Sequence, residues 1–475
     1  MTAAMPRDTT AIILAAGLGT RMKSRLPKCL HPIAGRPMLR HLIGTAEGVF
    51  NRIVVVTGPE MEAVARAAAP HETVVQAERL GTGHAALQAA ALFGEGDVAI
   101  LYADNPLITG ETLTRLRAAR AEAGDGVGLA LLAMRPPEPG RYGRVLTDAK
   151  GDVTAIVEWA DASEAERAIP LCNAGVFCAG GADLARWLKA VRNDNAKGEY
   201  YLTDVVALAV SEGRRVVAVE ADHAELRGIN SRAELAEAEA QMQARLRLAA
   251  MEAGVTLTAP ETVFLAADTV LEPDVVIGPH VAFGPGVSVR SGAEILAFSH
   301  LEGCEVGEGA RIGPYARLRP GTRVGQGAHV GNFVELKATI LGDGAKANHL
   351  AYLGDATIGA ASNIGAGTIT CNYDGNLKHR TVIGAGSFIG SNSTLVAPLC
   401  LGEGSFIAAG STITRDVAPN ALAFGRARQS EKPDGGAAIR ATWVQKTGPE
   451  KSGPEKNGPE KNGTVKTGPV KKGNP

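Results

Sequence analysis

Two places in the chain concentrate residues that can do chemistry. The first follows a short apolar run: Leu14-Ala15-Ala16-Gly17-Leu18-Gly19-Thr20-Arg21-Met22, then Leu26-Pro27-Lys28. Glycines at 17 and 19 let main-chain N–H groups curl around a phosphate. Arg21 and Lys28 add fixed positive charge where a triphosphate would gather negative charge. A dinucleotide fingerprint needs Gly where Met22 stands, and a Walker loop needs Gly-Lys-Ser/Thr, so this is a phosphate loop of another kind. Asp104 follows the apolar run Val98 to Leu101, near the carboxyl end of a strand, where α/β sheets bind ligands. Taken alone, it reads as a turn-capping residue before Pro106. The second place lies in the C-terminal half, where Ala347 to Tyr352 and Cys371 to Gly375 interrupt a repeat. Interruptions in a solenoid are where binding faces are built. His349 sits in the first, although a lone His on such a scaffold is more often packed or solvated.

Three textures must position these groups. Ile12-Leu14, Ile53-Val56, Val98-Leu101 and Val127-Ala130 read as buried parallel strands, and Pro37 to Val49 and Leu80 to Leu92 as helices. Their alternation predicts a doubly wound α/β domain over 1–230. A long helix follows over 231–254, with Ser231 and Glu234 forming a capping box, and its alternating charges suggest a solvated connector. From Leu265 an aliphatic residue recurs every six positions, through Ile277, Ile295, Ile312, Leu336, Leu353 and Ile364 to Ile389 and Ile413, often followed by Gly, with a small residue four places on. That hexapeptide period predicts a parallel β-helix over 255–428. The aliphatic points inward, the small residue fits the corner and Gly relaxes the turn. Residues 429–475 end in repeats such as TGPEK and NGPEK; with so few aliphatics they are expected to stay disordered.

Composition excludes several classes. Of 475 residues 58 are Gly, yet no Gly recurs at every third position, so collagen is excluded. The net charge of −1 and 4% aromatic content argue against nucleic-acid binding. No apolar run approaches the roughly 20 residues of a membrane helix. The six cysteines form no CxxC pair, and Met1 to Thr10 carries no signal-peptide core, so a reducing cytoplasm is the expected location.

The motifs LAAGLGTRM…LPK, QAERLGTGHA, LYADNPL, GRYGRV and IVEWADA, followed by the hexapeptide half, together resemble the bacterial bifunctional GlmU family. The likeness covers about residues 10–432, with the motifs in order. It implies an N-terminal nucleotidyltransferase domain, a connecting helix and a C-terminal left-handed β-helix. It also implies two reactions. Acetyl transfer from acetyl-CoA to glucosamine 1-phosphate comes first; uridylyl transfer from UTP to N-acetylglucosamine 1-phosphate then releases pyrophosphate. The product, UDP-N-acetylglucosamine, is a precursor of cell wall and lipopolysaccharide. The resemblance further implies a homotrimer acting on small molecules, without nucleic acid or membrane partners. Two rivals are a nucleotidyltransferase with an inert β-helical scaffold, disfavoured by His349 and the Asn372-Tyr373 loop, and a non-enzymatic subunit, disfavoured by Arg21, Lys28 and Asp104.

Residue by residue, the resemblance places Leu14, Ala15, Ala16, Gly17, Lys28, Gln76, Gly81, Thr82 and Tyr102 on the nucleotide, with Gln76, Gly81 and Thr82 against uracil and ribose. Arg21 and Lys28 would neutralise phosphate charge. Asp104 and Asn230 would hold Mg²⁺, and Gly143, Glu158 and Asn173 the N-acetyl sugar. His349 would be the general base of acetyl transfer, a role suited to an imidazole, which ordinarily titrates near pH 6.5. Arg319 and Lys337 would clamp the acceptor phosphate, beside Tyr352, Asn363, Asn372 and Tyr373. Ala366, Asn372, Tyr373, Ser391, Ala409, Arg426 and Lys432 would meet acetyl-CoA. The chain departs from the family at Leu18, where Lys is frequent, at Ala103, where Gly is frequent, and at Ala427-Arg428, where Val-Pro is common. The last departure leaves the path of the C-terminal arm open.

Overall fold

The computed structural model describes residues 8–121 and 126–447, with side chains to Val444. The chain divides into two units, Met1–Gly425 and Arg426–Pro475.

In the first unit, one sheet carries strands β1 (Thr10–Leu14), β2 (Arg52–Thr57), β3 (Glu72–Val75), β4 (Asp97–Tyr102), β5 (Val127–Met134), β6 (Arg144–Thr147), β7 (Val153–Val157), β8 (Cys172–Gly180) and β9 (Arg215–Glu220). The main order is β9-β5-β8-β4-β1-β2-β3, and β6 pairs with both β7 and β8. Both faces are covered, which is why the central strands are apolar without alternation. Ile13, Val55 and Leu101 pack with Leu39 and Leu42 on one face. Ile12, Val54 and Ile100 pack with Phe93 and Trp187 on the other. The sheet is mixed rather than wholly parallel: β8 runs antiparallel to both β4 and β5. The expected helix over 80–92 is a helix at Thr82–Gln88 followed by a 3-10 turn at Ala90–Leu92.

The connecting helix spans Arg232–Glu252, and Ser231 and Glu234 close its capping box. It differs from a solvated connector. Ala238 packs in a small core with Ile33, Met38, Leu107 and Ile229, and Gln243 is 3% exposed. Its alternating charges therefore occupy only part of its surface.

Beyond it, strands of two to four residues build three parallel sheets of 10, 8 and 8 strands. In one sheet, Ile277, Ile295, Ile312, Val330, Ala347, Ile364, Ile389 and Ile407 stand in register. All eight are buried, as are the corner residues Ala310, Ala316, Ser387 and Ser405. The Gly after the aliphatic serves a different purpose from relaxing a turn. A Cβ at Gly390 would lie 2.4 Å from the Ala409 nitrogen, and one at Gly325 would lie 2.6 Å from the Asp343 nitrogen. These glycines let successive coils touch. Along one corner, His280, Phe298, Tyr315 and Phe333 stack with ring centroids 4.9, 4.9 and 5.2 Å apart. Leu350 follows at the same left-handed corner position, and Phe298, Tyr315, Phe333 and Leu350 are all exposed.

In the second unit, Gly435–Thr447 is helical, where the sequence suggested a structureless arm. The segment GGAAIRATWVQKT holds Ala, Arg, Gln and Lys, which favour helix, and its Ile439 and Trp443 are exposed. The GPEK-like repeats from 448 onward lie outside the described residues. Among the described residues, no helix is long and apolar enough to cross a membrane.

Candidate active sites

The carboxyl ends of β1 and β4 open onto a cavity of about 240 Å³. Leu14, Ala15, Ala16, Gly17, Lys28, Gln76, Gly81, Thr82, Tyr102 and Asp104 line it, so the expected nucleotide residues come together. A second cavity of about 230 Å³ is lined by Tyr102, Asp104, Gly143, Glu158, Asn173 and Asn230. Tyr102 and Asp104 belong to both, so ligands in the two cavities would meet at Asp104. There Lys28 Nζ donates to Asp104 Oδ2, and to Asn230 Oδ1 at 2.9 Å. Two hard oxygens thus already converge on a cation.

Local geometry explains the glycines of this site. Gly19 has φ +61°, and a Cβ there would strike Lys28 Cβ at 2.5 Å, so the loop folds down onto the lysine's stem. Gly81, at φ +117°, would place a Cβ 2.6 Å from the Tyr200 carbonyl oxygen. The Tyr200 main chain by itself requires its lack of bulk. Gly175 would strike the Tyr102 ring at 2.6 Å and so leaves that ring its place between the cavities.

Arg21 is exposed on the 3-10 turn Thr20–Met22 and is not among the residues lining either cavity. Arg79, which the sequence reading passed over inside QAERLGTGHA, does line the first, and its Nε donates to Ala16 O at 2.8 Å. Ala103 also lines it while 3% exposed. Leu18 projects outward, 63% exposed. Burial pushes the Cys29 thiol up to about 12, which makes it a poor nucleophile.

Near the second cavity, burial raises the Glu158 carboxyl above its usual range, and Asp161 and Glu199 reinforce the shift. Asp204 is lifted to about 6, first by burial and then by Glu158 and Asp161. An acid whose folded pKa is raised contributes stability that is present in full below its unfolded pKa and lost as pH rises through the folded value. Melting temperatures between pH 7.5 and 5 should therefore rise less in Asp204→Asn than in the wild type; identical profiles would refute this assignment.

The β-helix carries the second constellation. His349 lies on the strand Lys346–His349, in register with Asn332 one coil away. Asn332 Oδ1 lies 2.8 Å from His349 Nδ1. With the amide presenting its oxygen, Nδ1 donates and Nε2 keeps a free lone pair. On the adjoining sheet Arg319 pairs with Glu335 at 2.9 Å, and Lys337 with Asp355 at 3.6 Å. Asn372 donates to Asp355 and lies 3.5 Å from Tyr352 Oη. Lys378, absent from the sequence reading, joins this group: the adjacent Lys337 ammonium holds it below its usual pKa, with Arg319 adding to the effect. Two carboxylates, Glu335 and Asp355, thus hold a cluster of cations. Asn363 pairs with Lys346 and Phe388. Ala366, Ser391 and Ala409 stack on successive coils, with Asn392 N donating to Ala366 O and Gly410 N to Ser391 O. Tyr373 is 60% exposed. Arg426 and Lys432 belong to the second unit.

Comparisons with known proteins agree with both halves. Residues 11–168 match the family described as "MobA-like NTP transferase domain", and residues 303–338 and 380–415 match "Bacterial transferase hexapeptide (six repeats)". "Bifunctional protein GlmU" of Gluconacetobacter diazotrophicus is 70% identical over 442 residues, covering 93% of this chain and 96% of that one. The same-named proteins of Gluconobacter oxydans and Granulibacter bethesdensis are 66% and 65% identical, over 91% and 92% of this chain and 96% and 97% of theirs. The C-terminal half is accordingly a left-handed hexapeptide β-helix, and the cavities above sit in a nucleotidyltransferase domain. The chain belongs to the bifunctional GlmU family, the transferases that make UDP-N-acetylglucosamine by acetyl transfer and uridylyl transfer.

Proposed function

We propose that uridylyl transfer occurs where the two N-terminal cavities meet, and acetyl transfer at His349. The observation that carries the first assignment is the convergence of Lys28, Asp104 and Asn230 between the cavities. UTP occupies the cavity of Gln76, Gly81 and Thr82; N-acetylglucosamine 1-phosphate occupies that of Gly143, Glu158 and Asn173. Its phosphate oxygen attacks the α-phosphorus and pyrophosphate leaves. Lys28 holds a point charge against the phosphates, and Arg79 ties the loop at Ala16 to the segment carrying Gly81. Such chemistry is mainly positioning and charge neutralisation. Asp104 and Asn230 suit Mg²⁺, a hard cation that takes oxygen ligands, and they already share a cation in Lys28. When bound, the ion would neutralise phosphate charge.

In the β-helix, His349 Nε2 accepts the proton of the acceptor's amino group as the amine attacks the thioester carbonyl; the C–S bond breaks and coenzyme A leaves as the thiol. Arg319, Lys337 and Lys378 hold the acceptor's phosphate, Tyr352, Asn363 and Asn372 its sugar, and the Ala366–Ser391–Ala409 corner receives acetyl-CoA. Arg21, Arg426 and Lys432 remain family-based assignments, the first as a phosphate cation and the others toward acetyl-CoA. The enzyme works as a homotrimer, a reading supported by exposed His349 and Tyr373 and by the uncovered Phe298–Tyr315–Phe333 ladder on the single chain. The free cysteines fit a cytoplasmic location.

The test is one mixture of glucosamine 1-phosphate, acetyl-CoA, UTP and Mg²⁺, followed for free thiol and pyrophosphate. Both should appear, and chelating the metal should stop pyrophosphate while thiol release continues. Pyrophosphate that persists under chelation would refute the metal assignment.

A further inference from the structure

The segment that carries Lys28 runs straight into a hairpin, Pro32–Ile33 and Arg36–Pro37. The turn of that hairpin is held from two sides. Ala34 N donates to Glu239 Oε2 at 2.7 Å, and Ala267 N donates to Ala34 O at 2.8 Å. Glu239 belongs to the connecting helix; Ala267 belongs to the first coil of the β-helix. The circuit closes through Gln243. Its Nε2 donates to Glu239 Oε1 at 2.9 Å and to Leu265 O at 2.7 Å, and its Oε1 accepts from Leu265 N at 2.8 Å. Packing follows the same path, because a Cβ on Gly35 would lie 3.1 Å from Pro285.

A buried primary amide is expensive to leave unpaired, and Gln243 satisfies the open main chain of Leu265 at the start of the solenoid. Capping that edge requires nothing of Glu239 or Ala34. Yet both are bonded in, and the hairpin they hold begins four residues after Lys28. At its other end the same helix starts beside Asn230, the second partner of Lys28. Lys28 is therefore fixed from both directions by one helix.

We propose that Gln243 and Glu239 are positioning residues for uridylyl transfer, seating the Lys28 segment against the first coil of the β-helix. The acetyltransferase half thereby forms part of the support of the uridylyltransferase site. This rests on the role proposed above for Lys28.

The test uses the full chain with Gln243→Leu, Glu239→Gln, Lys28→Ala and the Lys28→Ala/Glu239→Gln double variant, each assayed for both reactions. Glu239→Gln leaves a single acceptor oxygen for two donors and keeps the side chain's size, so it serves where Gln243→Leu does not fold. Misplacement of a catalytic group by about 1 Å can cost up to ~100-fold. Gln243→Leu and Glu239→Gln should each lower uridylyl kcat roughly tenfold, with the KM for UTP little changed and acetyl transfer preserved. In the Lys28→Ala background, Glu239→Gln should add almost nothing, because coupled residues are not additive. Losses that multiply in that background, an equal loss of both activities, or unchanged uridylyl transfer in Glu239→Gln would each overturn the proposal. Intact uridylyl transfer in Lys28→Ala would instead sink the role of Lys28, and this inference with it.

Discussion

Replacing His349 by Ala lowers acetyl transfer by roughly 10²–10⁴-fold, the usual contribution of a general base, and leaves pyrophosphate release from UTP unchanged. The imidazole is exposed and held by Asn332, so its removal opens no cavity in the aliphatic stack. The loss should fall on kcat rather than KM, since proton abstraction matters only as the transition state is approached. Stopped acetylation is read as absent thiol release from acetyl-CoA. If His349→Ala released thiol at the normal rate, the base would have to be another group.

The complementary result is expected from Asp104→Ala: pyrophosphate release falls by roughly 10²–10³-fold, while thiol release persists. Asp104 borders both cavities and is the carboxylate facing Lys28. Its loss removes one of two converging oxygens and leaves the half-buried ammonium with Asn230 alone. Asp104→Asn keeps the size of the side chain and separates charge from packing. A melting temperature measured beside each assay excludes unfolding as the cause. Equal damage to both reactions with an unchanged melting temperature would break the two-site description.

The hexapeptide half was the more legible, because a single inward residue per face imposes a period that survives any slip of register. The phosphate loop was legible as well, since Gly19 and Lys28 advertise a left-handed backbone and a charge. Other features came from pairings that no local pattern announces. Gly81 answers to Tyr200, and β8 inserts antiparallel into a sheet whose other core strands run parallel. Arg79 was hidden because one cation in a loop resembles any solvated one. Asn332 is the instructive case: it stands 17 residues before His349, one coil of the solenoid, so the period itself could have paired them. Asp355 likewise stands one coil beyond Lys337, whereas Lys378 reaches Lys337 from the inserted loop and had no such marker.

The spacing of the coils has one further consequence. Ala347 and Ile364, neighbours in register, are 17 residues apart, whereas Ile364 and Ile389 are 25 apart, and both pairs remain in register. The surplus chain is the loop through Asn372, Tyr373 and Lys378, added between stacked layers without shifting the layers themselves. Scaffold and loop are thus separable. The loop can be shortened, lengthened or exchanged as a cassette, and the column of aliphatics above and below it will still close.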